Sequence, residues 1–331
     1  MKKRALAGVA AVFLLLSGCR RGPAGPDEVR VASVPYLSFA PLFIAEDEGD
    51  FAREGIAIRW TKLEANAQAT AALAAGRLDV SGGIPTIGDL RAIQSGARVR
   101  FVADKGYEEA GGCGFTSLLI RPGFPARGGL PTPEDLRGAS ARTSAGSVVD
   151  FLFDRFLARE GVPAAAVRRV NLPAAIVGSA LAHGAVDMAM LAEPERTRLL
   201  RSGEGRLWMP ATDFYPGFQL AYIVFGPRML GPERALGVRF LRAYLRGIAR
   251  YRAGKTPRNV EILARRTGLT ADLIRACCWI PIRADGEIDA STLQAFQEWA
   301  VAGGLLPRPL PLSEIWDPAP LRAARGDRPG S

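Results

Sequence analysis

The feature that most constrains this chain is a repeating alternation of strand-like and helix-like stretches joined by short connections, which starts twice. Residues 29–34 alternate as a strand, 40–50 read as a helix, and 56–60, 78–82 and 99–103 are further strands separated by helices at 67–75 and 87–94. Near Asp104 the pattern restarts. Strands are expected at 117–120, 140–143, 167–170 and 186–191, with helices at 148–159, 173–183 and 193–200; Thr132 and Pro133 open a short helix as N-cap and first-turn proline. This second block ends near 206–209. One more strand, 219–225, precedes an almost purely helical C-terminus. Alternation of this kind implies an α/β fold with mostly parallel sheets flanked by helices. The 331 residues suit about two lobes of roughly 150 residues each. The expected division is 28–104 with 214–331 as one lobe and 105–213 as the other, so the chain makes two crossovers.

The N-terminus reads differently. Lys2, Lys3 and Arg4 precede twelve uncharged residues, 5–16. That run is too short for a bilayer span, which takes about 20 apolar residues, and fits a secretory signal over 1–18. Leu16-Ser17-Gly18-Cys19 resembles the bacterial lipobox, which implies cleavage before Cys19 and lipid attachment to its thiol. Residues 19–27 then form a lipidated flexible linker, and the remainder is a soluble body outside the cytoplasm. The formal charge of +10 falls to +7 when Lys2, Lys3 and Arg4 leave. Arginine is scattered and no run of five basic residues occurs, so nucleic acid is not an expected partner.

Catalytic and metal chemistry find little support. His183 is the only histidine; it precedes Gly184 at an expected helix end and suits the last carbonyls there. No Ser-His-Asp or Cys-His set and no zinc spacing can be assembled. Gly254-Lys255-Thr256 lacks the upstream glycine of a phosphate-binding loop, because position 249 is Ala249. The remaining cysteines are Cys113, Cys277 and Cys278. Buried free thiols are expected, with a bridge from Cys113 to one of the adjacent pair as the alternative. Binding without a cofactor or metal, rather than catalysis, is the expectation.

Ligands of parallel α/β sheets sit beyond the carboxyl ends of strands, where helix N-termini expose free N–H groups. Four corners qualify. Tyr36, Ser38 and Phe39 follow the first strand; Gly83, Pro85 and Thr86 follow the third. Thr143, Ser144, Gly146 and Ser147 stand before helix 148–159, and Glu193 stands at a helix entrance. Simple capping of the next helix is the alternative at each. Asp104 and Glu193 are candidate acceptors, and Phe214 and Phe218, with Tyr215 between them, are candidate aromatic walls or lobe core.

In order along the chain, Val34-Pro35-Tyr36, the run from Asp47 to Ile56, Ala74-Ala75-Gly76-Arg77-Leu78-Asp79-Val80, Thr143 to Ser147, Gly184 to Ala189, and Phe296-Gln297-Glu298-Trp299 carry a resemblance. The sequence resembles periplasmic solute-binding lipoproteins of ABC importers, in the branch for aliphatic sulfonates, taurine, nitrate or the thiamine pyrimidine precursor. The resemblance implies a two-lobed, type II-like periplasmic-binding-protein fold and a monomer tethered through Cys19. It also implies delivery of a small solute to a permease driven by a cytoplasmic ATPase. The aromatic and acidic candidates favour a heterocyclic vitamin precursor, with sulfonates next. A ligand sensor for a membrane receptor, or an enzyme of the same fold acting on a small heterocycle or carboxylate, are the alternatives. The signal and the isolated His183 argue against the enzyme.

Overall fold

The structure, a computed structural model, describes residues 25–33, 36–63, 67–173 and 176–327; the expected signal and Cys19 lie outside these. Ten strands form two five-stranded sheets. The first contains β1 (Asp27–Ser33), β2 (Ile56–Lys62), β3 (Val80–Gly83), β4 (Arg100–Tyr107) and β10 (Gln219–Phe225), and the second contains β5 (Thr116–Ile120), β6 (Ser140–Thr143), β7 (Arg168–Asn171), β8 (Met188–Ala192) and β9 (Arg206–Pro210). Their orders are β2-β1-β3-β10-β4 and β7-β6-β8-β5-β9.

The mostly parallel expectation holds, with one reversed strand in each sheet. β10 is antiparallel to both β3 and β4, and β5 is antiparallel to both β8 and β9. These are the strands the chain enters as it crosses from one sheet to the other. A chain arriving at the end where the other strands finish must run back against them. Both reversed strands, Gln-Leu-Ala-Tyr-Ile-Val-Phe in β10 and Thr-Ser-Leu-Leu-Ile in β5, are buried along their whole length, as apolar strands covered on both faces should be. The edge strand β9 begins with exposed Arg206 and Leu207 and carries no alternating pattern, which is why the sequence does not announce it.

The two connections between sheets lie side by side. Glu108 N donates to Phe218 O at 2.8 Å, and Gly217 N donates to Glu108 O at 2.6 Å. The Glu108 carboxylate accepts from Thr116 N at 2.8 Å, and burial pushes it up to about 7. A disulfide between Cys113 and Cys278 ties the first connection to the segment after helix Ala271–Ala276. This corrects the expectation of three free thiols: among the described residues Cys277 alone is free, and it is buried. Two thiols 165 residues apart in sequence are brought together by the fold, with Cα atoms 5.6 Å apart, a distance within disulfide geometry.

The C-terminal helices complete the first sheet's core. Helix Arg234–Tyr251 packs on helix Ala40–Asp47, where a Cβ at Gly247 would lie 2.2 Å from Pro41 O; only glycine permits the approach. The expected helix 40–50 breaks earlier, because Gly49 adopts φ 73° before a short helix Asp50–Arg53. His183 caps helix Val177–Ala182, its Nδ1 2.8 Å from Ser179 O, as the sequence suggested. Lys255 is spent on carbonyls, donating to Arg275 O and Cys277 O at 2.8 and 2.7 Å.

Candidate functional site

A cavity of about 110 Å³ lies between the two sheets, beyond the carboxyl ends of β1, β3, β6 and β8. Its first wall is built on the turn Leu37–Phe39 and on β4, and supplies Tyr36, Ser38, Phe39, Gly83 and Lys105. The opposite wall supplies Phe115, Thr116, Arg142, Ser144 and Met190. Glu195 also reaches the cavity, but it forms an ion pair with Arg198.

Lys105 is the unusual group. Its residue is only 1% exposed. The Nζ donates to Ser38 Oγ at 2.6 Å and sits 3.9 Å from the centroid of the Phe39 ring. Burial pulls its pKa down to about 7, partly opposed by the nearby charge of Asp104. The stem runs against β3, where a Cβ at Gly82 would fall 2.6 Å from Lys105 Cε, so the glycine makes room for it.

Across the cavity, Arg142 is half-buried and uses its Nε on Leu172 O at 3.1 Å; burial draws its pKa downward. Among the described residues neither Lys105 nor Arg142 forms an ion pair. Thr116 Oγ1, buried in the same wall beside the Glu108 carboxylate, has no well-aligned hydrogen-bond partner among the described residues. The cavity therefore offers an excess of donors, with the Arg142 charge, within a largely apolar lining, an arrangement that stabilises an acceptor-rich anion.

Of the residues expected at the site, Tyr36, Ser38, Phe39, Gly83 and Ser144 line this cavity. The others do not, and each has a structural task. Pro85, Thr86, Gly146 and Ser147 join the two sheets' corners to one another: Ile87 N donates to Gly146 O at 2.8 Å, Val148 N donates to Pro85 O at 3.0 Å, and Thr86 and Ser147 form a bridge. Their side chains cap the helices that follow, Thr86 in a capping box with Asp89 and Ser147 accepting from Val149 N. Thr143 ends β6, buried. A second tie links helix Ala290–Ala302 to helix Val148–Arg159, with Trp299 Nε1 donating to Asp154 Oδ2 at 2.7 Å.

The expected acceptors are already occupied. Glu193, fully buried, accepts from Thr197 Oγ1 at 2.7 Å, from Arg196 Nη1 and Cys278 N at 3.1 Å each, and from Thr197 N at 3.1 Å. Asp104 accepts from Gln219 Nε2, Gly106 N and Arg283 N at 2.5, 2.6 and 2.7 Å, and burial pushes it up to about 6. Phe218 packs with Phe151 and Tyr215 at ring distances of 5.6 and 5.0 Å, and Phe214 packs on Phe156 at 5.8 Å; both serve as core. The residues that sequence reasoning passed over are Lys105, Arg142 and Thr116. The available signal was slight: Arg142 is a charged residue inside the expected strand 140–143, and Lys105 lies two residues beyond the expected strand 99–103.

Two mixed sheets, a cleft between their strand ends and a double crossover define the periplasmic-binding-protein-like class of α/β fold. The chain belongs to the NMT1/THI5-like family, whose profile matches residues 37–254. It is 28% identical over 274 residues, covering 74% of this chain and 73% of the other, to a putative aliphatic sulfonates-binding protein of Bacillus subtilis (strain 168). The alkanesulfonate-binding protein SsuA of Xanthomonas axonopodis pv. citri, solved with MOPS bound, superposes with a TM-score of 0.70 at 22% identity, over 88% of this chain and 99% of that one. The desulfurization enzyme DszB shares the fold at a TM-score of 0.65 and 14% identity, over 91% and 99% of the two chains. Among the described residues no helix is long and apolar enough to cross a membrane.

Proposed function

We propose that this chain is the solute-capturing component of an ABC importer and that its ligand is a small organic anion with an apolar or aromatic body. The observation that carries the reading is the pairing of Lys105 and Arg142 on opposite walls of one cavity, neither of them neutralised by an ion pair. Tyr36, Phe39 and Phe115 supply apolar surface for the rest of the ligand, while Ser38, Ser144 and the Thr116 hydroxyl supply polar contacts. The sulfonate-binding relative supports this class over the heterocyclic precursor favoured by the aromatic and acidic candidates.

In this reading residues 28–104 with 214–331 form one lobe and residues 105–213 the other, and the ligand holds them together. Shifting a two-state population from 1:99 to 99:1 takes about 5.5 kcal/mol of differential affinity. Micromolar binding supplies about 8.2 kcal/mol, so ordinary affinity suffices for closure. Cys19 would carry the lipid that keeps the carrier at the membrane near its permease. No reaction is assigned: the ligand leaves as it came.

The test is a thermal-shift screen of the mature body against alkane and aromatic sulfonates, nitrate, pyrimidines and flavins, followed by calorimetry on any hit. A sulfonate should bind and be recovered unchanged, and Arg142→Met should weaken it tenfold or more, about 1.4 kcal/mol. Binding of neutral pyrimidines in preference to every anion, or chemical conversion of the bound compound, would overturn the reading.

A further inference from the structure

We infer that the Lys105 amine is uncharged in the ligand-free protein and takes up a proton when an anion enters, so that each anion is captured together with one proton. This deepens the reading above and rests on it. The argument begins with the seat. A protonated amine has three donors, and among the described residues Ser38 Oγ alone accepts from Lys105. The Phe39 ring face at 3.9 Å gives a cation some compensation, and the residue is 1% exposed, so water reaches the remaining donors only through the cavity it lines. Gly82 and Phe39 fix the stem, which prevents the amine from swinging out to solvent.

None of the surrounding charges makes up the deficit. On its own strand, Asp104 faces Gly106, Gln219 and Arg283, and Glu108 is turned to Thr116 N. On β10 the Tyr222 hydroxyl is shared with Thr292, and from helix Arg234–Tyr251 the Tyr244 hydroxyl donates to Asp104 O. Of the groups sharing the cavity, Glu195 is paired to Arg198 and Arg142 adds a repelling charge. A buried amine in this setting favours its neutral form, and burial accordingly draws its pKa to about 7. An anion in the cavity supplies the missing acceptor and the missing counter-charge together, so the bound state favours the ammonium. Linkage then makes affinity depend on pH.

The lysines beyond residue 4 are Lys62, Lys105 and Lys255, few enough to follow individually by carbon-13 or nitrogen-15 NMR of lysine-labelled mature protein, with Lys105→Met providing the assignment. Lys105 should titrate in the neutral range in the free protein and stay charged through that range once benzenesulfonate is bound. A Lys105 that remains fully charged at pH 9 in the free protein overturns the inference. Benzenesulfonate keeps its charge across this range, so calorimetry at pH 8 in two buffers of different ionisation enthalpy counts protons taken up by the protein. Uptake should approach one per bound anion in the wild type and vanish in Lys105→Met. Affinity should weaken by up to about tenfold per pH unit above pH 8. Tight binding with no uptake sinks the inference and leaves the proposed function standing. Failure of every anion to bind removes both.

Discussion

Asp104 and Lys105 are consecutive residues of β4, both buried and both ionisable, and they face opposite sides of the first sheet with opposite outcomes. On one side, Asp104 meets three donors within 2.7 Å, the Tyr244 hydroxyl closes on its carbonyl at 2.8 Å, and Gln219 and Arg283 knit β10 to the C-terminal segment. On the other, Lys105 finds one hydroxyl and a ring face. A buried charge surrounded by complementary partners holds a fold together, whereas one left short of partners costs stability and has to be explained by something that arrives later. The contrast separates the scaffold from the site at single-residue resolution.

The sharpest way to break the comparison is to truncate each member. Asp104→Ala strands Gly106 N, Arg283 N and the Gln219 amide in the interior, and should destabilise the protein by about 3–5 kcal/mol in urea denaturation. Lys105→Met removes a poorly solvated amine and should leave stability unchanged or raised while weakening anion binding. The pH dependence adds a sign. Because the folded-state pKa of Lys105 is lowered from 10.5 to about 7, the folded chain binds fewer protons than the unfolded chain between those values. Its contribution to stability therefore rises with pH across that window, and this slope should disappear in Lys105→Met. Equal losses of stability from both substitutions would erase the distinction.

A second test stays on the scaffold side. Cys113→Ser opens the bridge to Cys278 and should cost about 2–5 kcal/mol. The thiol of Cys277, whose pKa burial pushes up to about 12, should not substitute for the lost partner. Because neither half of the bridge lines the cavity, affinity for an anionic probe at low temperature should be preserved. A tenfold loss of affinity without a loss of stability would transfer the disulfide to the site.

The sequence made the scaffold legible because a parallel α/β layout repeats: alternation, caps and glycine stops recur often enough that a local misjudgement, such as the break at Gly49, leaves the plan intact. It also located the cleft, since strand ends are where such sheets bind, and Tyr36, Ser38, Phe39, Gly83 and Ser144 lie there. It could not rank the polar residues. Glu193 and Thr197, four residues apart, might have been paired on a helix, but the Cys278 amide that also uses Glu193 is 85 residues away in sequence. Lys105 and Arg142 were hidden for the converse reason: a charge in a strand reads as solvent-facing, and only the packing of the opposite sheet shows that both face an enclosed space.

The smallest effect should come from the rim, where the two sheets touch through backbone alone. Gly146 holds φ at 67°, and its carbonyl accepts from Ile87 N. A Cβ at Gly146 would meet Ile87 at 3.6 Å, an ordinary contact, so the cost of Gly146→Ala is confined to the left-handed backbone, about 1–2 kcal/mol. If the rim contacts belong only to the closed form, that cost falls on closure. The apo protein should then melt nearly as the wild type does, while probe affinity drops roughly tenfold, corresponding to about 1.4 kcal/mol. A lowered melting temperature with unchanged affinity would assign the contact between Gly146 and Ile87 to the scaffold, moving the boundary between the two regions inward from the rim to the cavity wall itself.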